Sequence, residues 1–195
     1  MTELSDRQIE IIEATGKILT ASGISGLTIK NLANEMKFSE SAIYRHFKSK
    51  EEIIIAMLNY LVENIDKRLE SVTRSNETPE EKLNTLFRNQ LDFFNTNKHF
   101  VVVVFSDGLL DESTRIKETI HKLLGVKIKH LMPIIIEGQQ KGMFTNAIAA
   151  EELMQIFIGS FQLQMFKWRL ANFEYDIQRN GNNMVQSVLT VIKSK

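Results

Sequence analysis

The chain has 195 residues, a length that fits one compact domain or a small domain joined to a medium one. Its 24 Lys and Arg balance 24 Asp and Glu, so total charge does not indicate nucleic-acid binding. It contains no cysteine, which excludes disulfides, cysteine-ligated zinc and thiol nucleophiles. The N-terminus lacks the apolar core of a signal peptide, and no apolar run approaches the ~20 residues of a membrane-spanning helix. We therefore expect a soluble cytoplasmic protein with no membrane partner.

Apolar residues recur at helical spacing along the chain, and no alternating strand pair is visible, which predicts an all-α fold. The run Val101–Val104 resembles a strand, but it has no partner run and is interpreted as a buried helix. Pro133 predicts a kink in the seventh helix. About nine helices are predicted, over residues 5–22, 29–36, 39–46, 50–72, 80–95, 99–109, 112–141, 149–172 and 182–193.

Ser5 and Ser49 are predicted to cap the first and fourth helices. Residues 28–46 form two short helices joined by a tight turn, with Thr28 and Ser39 as predicted N-caps. This is the helix-turn-helix arrangement, whose second helix enters the major groove of DNA. Six apolar side chains are expected to fix the angle between the helices: Ile29, Leu32, Ala33, Phe38, Ile43 and Phe47. The opposite face carries short polar groups and donors suited to base edges and phosphates.

The run Phe38-Ser-Glu-Ser-Ala-Ile-Tyr-Arg-His-Phe-Lys-Ser-Lys-Glu51 resembles the signature of the TetR family of transcriptional regulators. The upstream Gly-Leu-Thr, followed by Ile and Leu-Ala, also matches, and the resemblance covers residues 5–58. It implies a three-helix DNA-binding domain over residues 1–50 and a helical ligand-binding and dimerisation bundle over residues 51–195. The expected partners are a palindromic double-stranded DNA operator, a second copy of the chain and an unidentified small molecule.

The resemblance also implies roles for individual residues. Phosphate contacts are expected from Thr28, Tyr44, His46 and Lys50, and contacts to bases or nearby backbone from Ser39, Glu40, Ser41, Ala42 and Arg45. Lys37 stands where the family often has glycine, so a left-handed conformation there would cost on the order of 1 kcal/mol. Lys37 is also a candidate phosphate contact. Residues 1–50 carry a net charge of only +1, so affinity must come from residue placement and from two copies binding together.

Helix seven has an apolar face formed by Ile116, Ile120, Leu123, Leu131 and Ile134, with Lys127 near its middle and His130 beside it. One interpretation is an apolar pocket in which either residue holds a polar or anionic headgroup. The alternatives are an internal salt bridge, a lysine that reaches solvent, or an altered helix phase across Pro133. The candidate ligand-binding residues are Leu61, Phe87, Gln90, Phe94, Lys127, His130, Phe161, Gln164, Met165 and Trp168.

Helix eight is apolar nearly all round, which predicts a second packing partner, and helix nine carries another apolar stripe. In proteins that resemble the TetR family, the last two helices of each subunit form the dimer interface. The candidate interface residues are Ile156, Leu163, Phe166, Leu170, Val188 and Ile192. The alternative is that both helices complete the core of the monomer.

No metal-ligand spacing, P-loop, cofactor motif or catalytic constellation is found, so neither an enzyme nor a bound cofactor or metal is expected. The leading hypothesis is a repressor released from its operator by a hydrophobic or amphipathic ligand. The alternative is a DNA-binding protein whose helical body contacts a protein partner, as in the nucleoid-occlusion members of the family, which the run Phe105–Leu110 resembles. A closed cavity would favour the first hypothesis, and a packed core with an exposed groove would favour the second.

Overall fold

A computed structural model of the chain describes residues 4–105 and 113–194. Within these ranges the chain is all helical, with one isolated bridge between Phe144 and Lys193. The described ranges contain nine helices: α1 (Asp6–Gly26), α2 (Ile29–Met36), α3 (Glu40–Tyr44), α4 (Lys50–Thr73), α5 (Pro79–Thr96), α6 (Lys98–Val104), α7 (Thr114–Gln140), α8 (Ala150–Leu170) and α9 (Ile177–Ile192). None of these helices is long and apolar enough to cross a membrane.

Side-chain caps start the first four helices, as the sequence predicts. The hydroxyls of Ser5, Thr28 and Ser39 accept hydrogen bonds from backbone N–H groups in the first turns of α1, α2 and α3. Before α4, the hydroxyl of Ser49 accepts from the backbone of Glu52 at 3.2 Å. Each cap satisfies a helix-terminal donor and thereby fixes where the helix begins.

Several predicted boundaries differ from the structure. Helix α1 extends to Gly26 instead of ending at Ser22, although Gly23 within it is non-helical, with φ 64°. Helix α3 ends at Tyr44 instead of His46, and α6 ends at Val104, while the predicted continuation over residues 106–109 lies outside the described residues. Helix α9 begins at Ile177, five residues before the predicted start, because Asp176 caps it. The interpretation of Val101–Val104 as buried helix is confirmed, since these residues lie in α6 and the first three are buried.

The chain divides into two compact units. The first comprises Met1–Leu61 and Lys98–Leu123, as far as these residues are described, and the second comprises Val62–Asn97 and Leu124–Lys195. The units do not follow the predicted boundary at Lys50, because α6 and the start of α7 group with the N-terminal helices. The predicted division at Lys50 separates functions implied by the family resemblance, whereas the two compact units are defined by packing contacts.

In the first unit, α1 packs against both α2 and α6. The contact with α6 is close at Gly16, where a β-carbon would lie 3.0 Å from the imidazole ring of His99. Helix α2 in turn packs against α3. Because a helix as short as α3 is unstable alone, this packing stabilises it.

In the second unit, α9 packs against α5 and α8. The approach of α9 to α5 is also close, because a β-carbon at Gly181 would lie 2.4 Å from the side chain of Leu91. The aromatic side chains of Phe87, Phe157 and Phe161 stack in the core, with ring centroids 5.4 to 5.5 Å apart. These contacts set the walls of the cavity described below.

Candidate functional site

The first candidate site is the surface formed by α2, α3 and the turn between them. Four apolar side chains beneath it are buried: Leu32, Ala33, Ile43 and Phe47. Ile29 and Phe38, also predicted to pack here, are half-buried. Burial of Ile43 on one side of the single-turn α3 leaves the other side of that helix facing solvent.

The ten predicted DNA-binding residues lie at the surface of the first unit. Ala42 and Lys50 are partly covered, and the remainder are exposed: Thr28, Lys37, Ser39, Glu40, Ser41, Tyr44, Arg45 and His46. Tyr44 is 49% exposed. The arrangement therefore presents donors, small side chains and one aromatic hydroxyl on a convex surface next to a helix start.

Lys37 adopts the left-handed conformation, with φ 56° and ψ 41°. Its backbone N–H bonds to the carbonyl of Asn34, and the next N–H, of Phe38, bonds to that of Ala33, which closes α2 before the turn. A lysine in this conformation costs on the order of 1 kcal/mol relative to glycine. The strain lies at the tip of the turn, and the Lys37 side chain is exposed there.

Two contacts from α1 support the α2–α3 surface and were not predicted from the sequence. The amide of Gln8 donates to the backbone carbonyl of His46 at 3.3 Å. The guanidinium of Arg7 lies 5.0 Å from the centre of the Phe38 ring, a cation–π geometry. Neither pair has a periodic sequence signal, because each joins residues more than thirty positions apart.

The second candidate site is a cavity of about 350 Å³ in the second unit, a volume that includes some open solvent. Helices α4, α5, α7 and α8 each contribute to its walls. The lining consists of six apolar residues and two polar ones: Leu69, Leu86, Phe87, Gln90, Lys127, Leu131, Ile158 and Phe161.

Four of the ten residues predicted to bind a ligand line this cavity: Phe87, Gln90, Lys127 and Phe161. The sequence analysis missed Leu69, Leu86, Leu131 and Ile158 as lining residues, although helical spacing already placed Leu131 on the same face as Lys127. The other six predicted residues are Leu61, Phe94, His130, Gln164, Met165 and Trp168, and they lie outside the lining.

Hydrogen bonds and packing account for these six. Leu61 belongs to the first unit, and Phe94 packs edge-on against Phe93. The side chains of Gln164 and Trp168 are both engaged with Tyr175, one at its hydroxyl and the other at its backbone carbonyl. Met165 is buried in the core.

His130 lies in an internal network, which was the alternative interpretation of its position. Its Nε2 lies 2.6 Å from a carboxylate oxygen of Asp66, and its Nδ1 lies 3.0 Å from the hydroxyl of Thr73. The same hydroxyl lies 2.9 Å from the carbonyl oxygen of Leu69. Asp66 and Thr73 therefore engage both ring nitrogens of the buried His130. Hydrogen bonds from Lys129 and His130 lower the pKa of Asp66.

The two polar lining residues differ in how their donors are satisfied. The side-chain nitrogen of Gln90 is buried and has no hydrogen-bond partner among the described residues. Lys127 keeps some exposed surface, but burial lowers its pKa from 10.5 to about 8. No ion pair or hydrogen bond from its ammonium is found in the described part of the chain. A polar pair of this kind in an apolar cavity is arranged to meet a ligand that accepts hydrogen bonds.

A third surface lies on α8. Four large apolar side chains are 38% to 67% exposed: Ile156, Leu163, Phe166 and Leu170. With Gly159 they repeat at alternating intervals of three and four residues, the spacing of a helix–helix seam. Val188 and Ile192 of α9, also predicted for the dimer interface, are instead buried within the chain, because the side of α9 that bears them faces the core. The exposed apolar residue nearby is Val191, at 70%.

Two family models match the chain. The model described as bacterial regulatory proteins of the TetR family matches residues 11–57, which contain the α2–α3 surface. The model described as the C-terminal region of YsiA-like protein matches residues 56–191. Together they cover most of the chain and meet within α4.

Similar proteins include the fatty acid metabolism regulator protein of Bacillus subtilis, 20% identical over 195 residues and covering 100% of both chains. The nucleoid occlusion factor SlmA of Vibrio vulnificus is 23% identical over 90% of both chains. Among solved structures, FadR of Bacillus halodurans matches with a TM-score of 0.86 at 18% identity, covering 100% of both chains. FadR of Bacillus subtilis in complex with stearoyl-CoA matches with a TM-score of 0.81 at 20% identity, covering 94% of this chain and 98% of that one.

Proposed function

Because the chain belongs to the TetR family of bacterial regulatory proteins, it is a DNA-binding transcriptional regulator, and we propose that a small hydrophobic or amphipathic ligand releases it from its operator. The observation that carries the proposal is the cavity, which combines six apolar lining residues with the lysine Lys127 and the unsatisfied amide nitrogen of Gln90. Its relative FadR of Bacillus subtilis was solved with stearoyl-CoA, an amphipathic molecule.

In this proposal the α2–α3 surface contacts DNA. Tyr44, His46, Thr28 and Lys50 bind phosphates, and Arg45 with Ser39, Glu40, Ser41 and Ala42 faces the bases or the nearby backbone. The exposure of these side chains above a buried apolar layer supports the assignment. Lys37, at the tip of the turn, is assigned to a phosphate, which would offset the backbone strain at that position.

We assign the exposed stripe of α8 to a homodimer interface. The stripe comprises Ile156, Gly159, Leu163, Phe166 and Leu170. Apolar side chains in such a regular seam are unfavourable in water and stabilising against a second copy. Two copies present two recognition helices, which matches a palindromic operator.

Helix α4 supplies the route from ligand to DNA in this account. The same helix carries Lys50 at its first residue and Leu69, a cavity residue, near its last turn. A ligand that binds one position of α4 better than another shifts the balance between them. A small rotation of α4 would then alter how the α2–α3 surface meets DNA.

The second candidate function is DNA binding with a protein partner in place of the small molecule. The similarity to nucleoid occlusion factor SlmA favours this alternative. The cavity favours a ligand. Residues 106–110, whose sequence resembles the nucleoid-occlusion members, lie outside the described residues.

The test is the selection of bound duplexes from random sequence with the purified full-length chain at a stated salt concentration. We expect a palindrome whose half-sites lie about one to one and a half helical turns apart. Binding without sequence preference would contradict the proposed DNA-binding role. A selected palindrome whose binding no cavity ligand alters would leave DNA binding intact and favour the protein partner.

A further inference from the structure

We propose that the cavity recognises a monocarboxylic acid with an apolar chain, bound with its carboxylate inside the cavity between Lys127 and Gln90. The inference rests on the proposed function in so far as this cavity is the ligand site. It goes further by assigning the charge of the headgroup and the direction in which the ligand enters. The assignment also distinguishes a free carboxylate, which is charged, from a thioester, which is uncharged at the same carbon.

Gln90 is oriented by Arg68. The guanidinium of Arg68 donates to the Oε1 atom of Gln90 at 3.4 Å and to the backbone carbonyl of Asn89 at 2.7 Å. A guanidinium has donors only, so the amide oxygen must face Arg68 and the amide nitrogen must point away from it. That nitrogen is buried without a partner among the described residues, and Gln90 is only 4% exposed. The amide is therefore held as a donor at the cavity wall.

Lys127 supplies the charge. It is the one ionisable residue among the eight described residues that line the cavity. Burial lowers its pKa to about 8, so the empty cavity disfavours the ammonium form. Several charged groups on the helices that form the cavity walls pair with one another: Asp66 with Lys129 and His130, and Glu137 with Lys82 and Lys141. Arg68 of α4 is engaged with Asn64, Asn89 and Gln90.

A carboxylate satisfies both groups at once. One of its oxygens can accept from the Lys127 ammonium and the other from the Gln90 amide, and its single negative charge neutralises the single cation. A thioester carbonyl offers one oxygen and no charge, an alcohol offers no charge, and a quaternary amine would repel Lys127. The six apolar lining residues suit an alkyl chain and offer it no polar partner.

The experiment is titration calorimetry of the full-length chain at pH 7 with sodium decanoate, kept below its micellar concentration. Decanol, decyltrimethylammonium and decanoyl-CoA serve as matched probes. We expect decanoate to bind at least tenfold more tightly than decanol or the amine. We expect Lys127→Met to weaken decanoate by at least tenfold and Gln90→Leu by several-fold. Lys122→Met, at an exposed position of the same helix, should have no effect.

The stability of Lys127→Met separates loss of binding from loss of folding. Removal of a desolvated ammonium without a partner should raise Tm of the ligand-free protein by about 2–8 °C. A lysine needed for the fold would lower Tm instead. Binding of decanoate should also weaken by about tenfold for each pH unit above 8, because the neutral amine must take up a proton to hold the anion.

Several results would overturn the inference. Equal affinity of Lys127→Met and the unmodified chain for decanoate would remove Lys127 from the site. Binding of decanoyl-CoA that is as tight and is unaffected by Lys127→Met would identify a thioester ligand. In that case the proposed ligand-released regulator would stand and only the headgroup assignment would fail. If none of the four probes bound, the headgroup assignment would also fail, and a separate effector screen would decide the proposed function.

Discussion

The α2–α3 surface and the cavity carry their functional residues in opposite ways. In the first, the side chains assigned to DNA are exposed, and the apolar layer beneath them only sets their geometry. In the second, the side chains assigned to the ligand are largely buried, and the same residues both form the core and bind. Substitutions at the first site should therefore change stability little, apart from the helix caps Thr28 and Ser39 and the strained Lys37, whereas substitutions at the second should change stability and binding together.

The difference also explains why the two sites differ in how well a sequence describes them. Exposed residues that must meet DNA are confined to a short run, residues 38–51, where spacing alone is informative. Cavity residues come from four helices, and any apolar residue at helical spacing is an equal candidate for the core. Lys127 stood out because it is a charge on an apolar face, and Gln90 because it is an amide among apolar neighbours.

The largest expected effect is on DNA affinity. The double substitution Tyr44→Ala and His46→Ala should weaken operator binding by at least about 100-fold, because two contacts are lost in each of two copies. Since both side chains are exposed, Tm should change by less than about 2 °C. Fluorescence anisotropy with the selected duplex, together with thermal denaturation, checks both parts. Lys117→Ala, an exposed lysine on α7, is the control for lost charge, and an equal loss there would contradict the assignment.

The next effect concerns the exposed stripe of α8. Leu163→Glu with Leu170→Glu should halve the mass measured by light scattering at micromolar concentration, because two charges per chain would be buried in the interface. The monomer should remain helical, since both positions are more than half exposed in the single chain. Lys122→Glu, outside the stripe, should stay dimeric. A monomeric mass for the unmodified chain would refute the interface altogether.

A smaller effect is expected at the internal network next to the cavity. Asp66→Asn should lower the free energy of unfolding by about 1–3 kcal/mol, because the hydrogen bonds of the charged carboxylate with His130 and Lys129 become weaker bonds to a neutral amide. Glu70→Gln, which removes a surface ion pair with Arg74 on the same helix, should cost less than about 1 kcal/mol.

The pH dependence of the same pair sharpens this test. Hydrogen bonding lowers the pKa of Asp66 below 3.8, so its stabilisation is fully present above that value and lost as the pH falls below it. The difference in stability between Asp66→Asn and the unmodified chain should therefore shrink in acid. A difference that stayed constant down to pH 2 would contradict the ionic origin.

The smallest effect is expected at the turn. Lys37→Gly should raise the free energy of unfolding by about 1 kcal/mol, because glycine adopts φ 56° without strain. Chemical denaturation measures the change directly. Weaker operator binding by the more stable variant would support the phosphate contact assigned to Lys37, and unchanged binding would remove that contact from the account.

Local sequence signals were sufficient where a helix begins with its own cap. Ser5, Thr28, Ser39 and Ser49 mark four helix starts, and the structure confirms each. They failed at α9, where Gly181 and its asparagine neighbours resemble a loop. The glycine lies inside the helix because α9 approaches Leu91 of α5 too closely for a β-carbon. A tertiary contact of this kind has no local signature.

The same limit applies to side-chain direction. Val188 and Ile192 belong to an apolar stripe that sequence periodicity detects, but periodicity does not say whether the stripe meets the core or a second copy. Packing of α9 on α5 and α8 buries both residues, and the exposed position is Val191. The pairs Arg7–Phe38 and Gln8–His46 were missed for a related reason, since they join distant segments through single contacts.

The most direct test of the account measures both sites in one titration. A fluorescent duplex carrying the selected palindrome is titrated with the full-length chain, with and without a ligand that calorimetry shows to bind the cavity. The account predicts that the ligand raises Kd for the duplex at least tenfold, and that Tyr44→Ala with His46→Ala abolishes duplex binding while leaving ligand binding unchanged. An unchanged Kd for the duplex at saturating ligand would contradict release by the ligand.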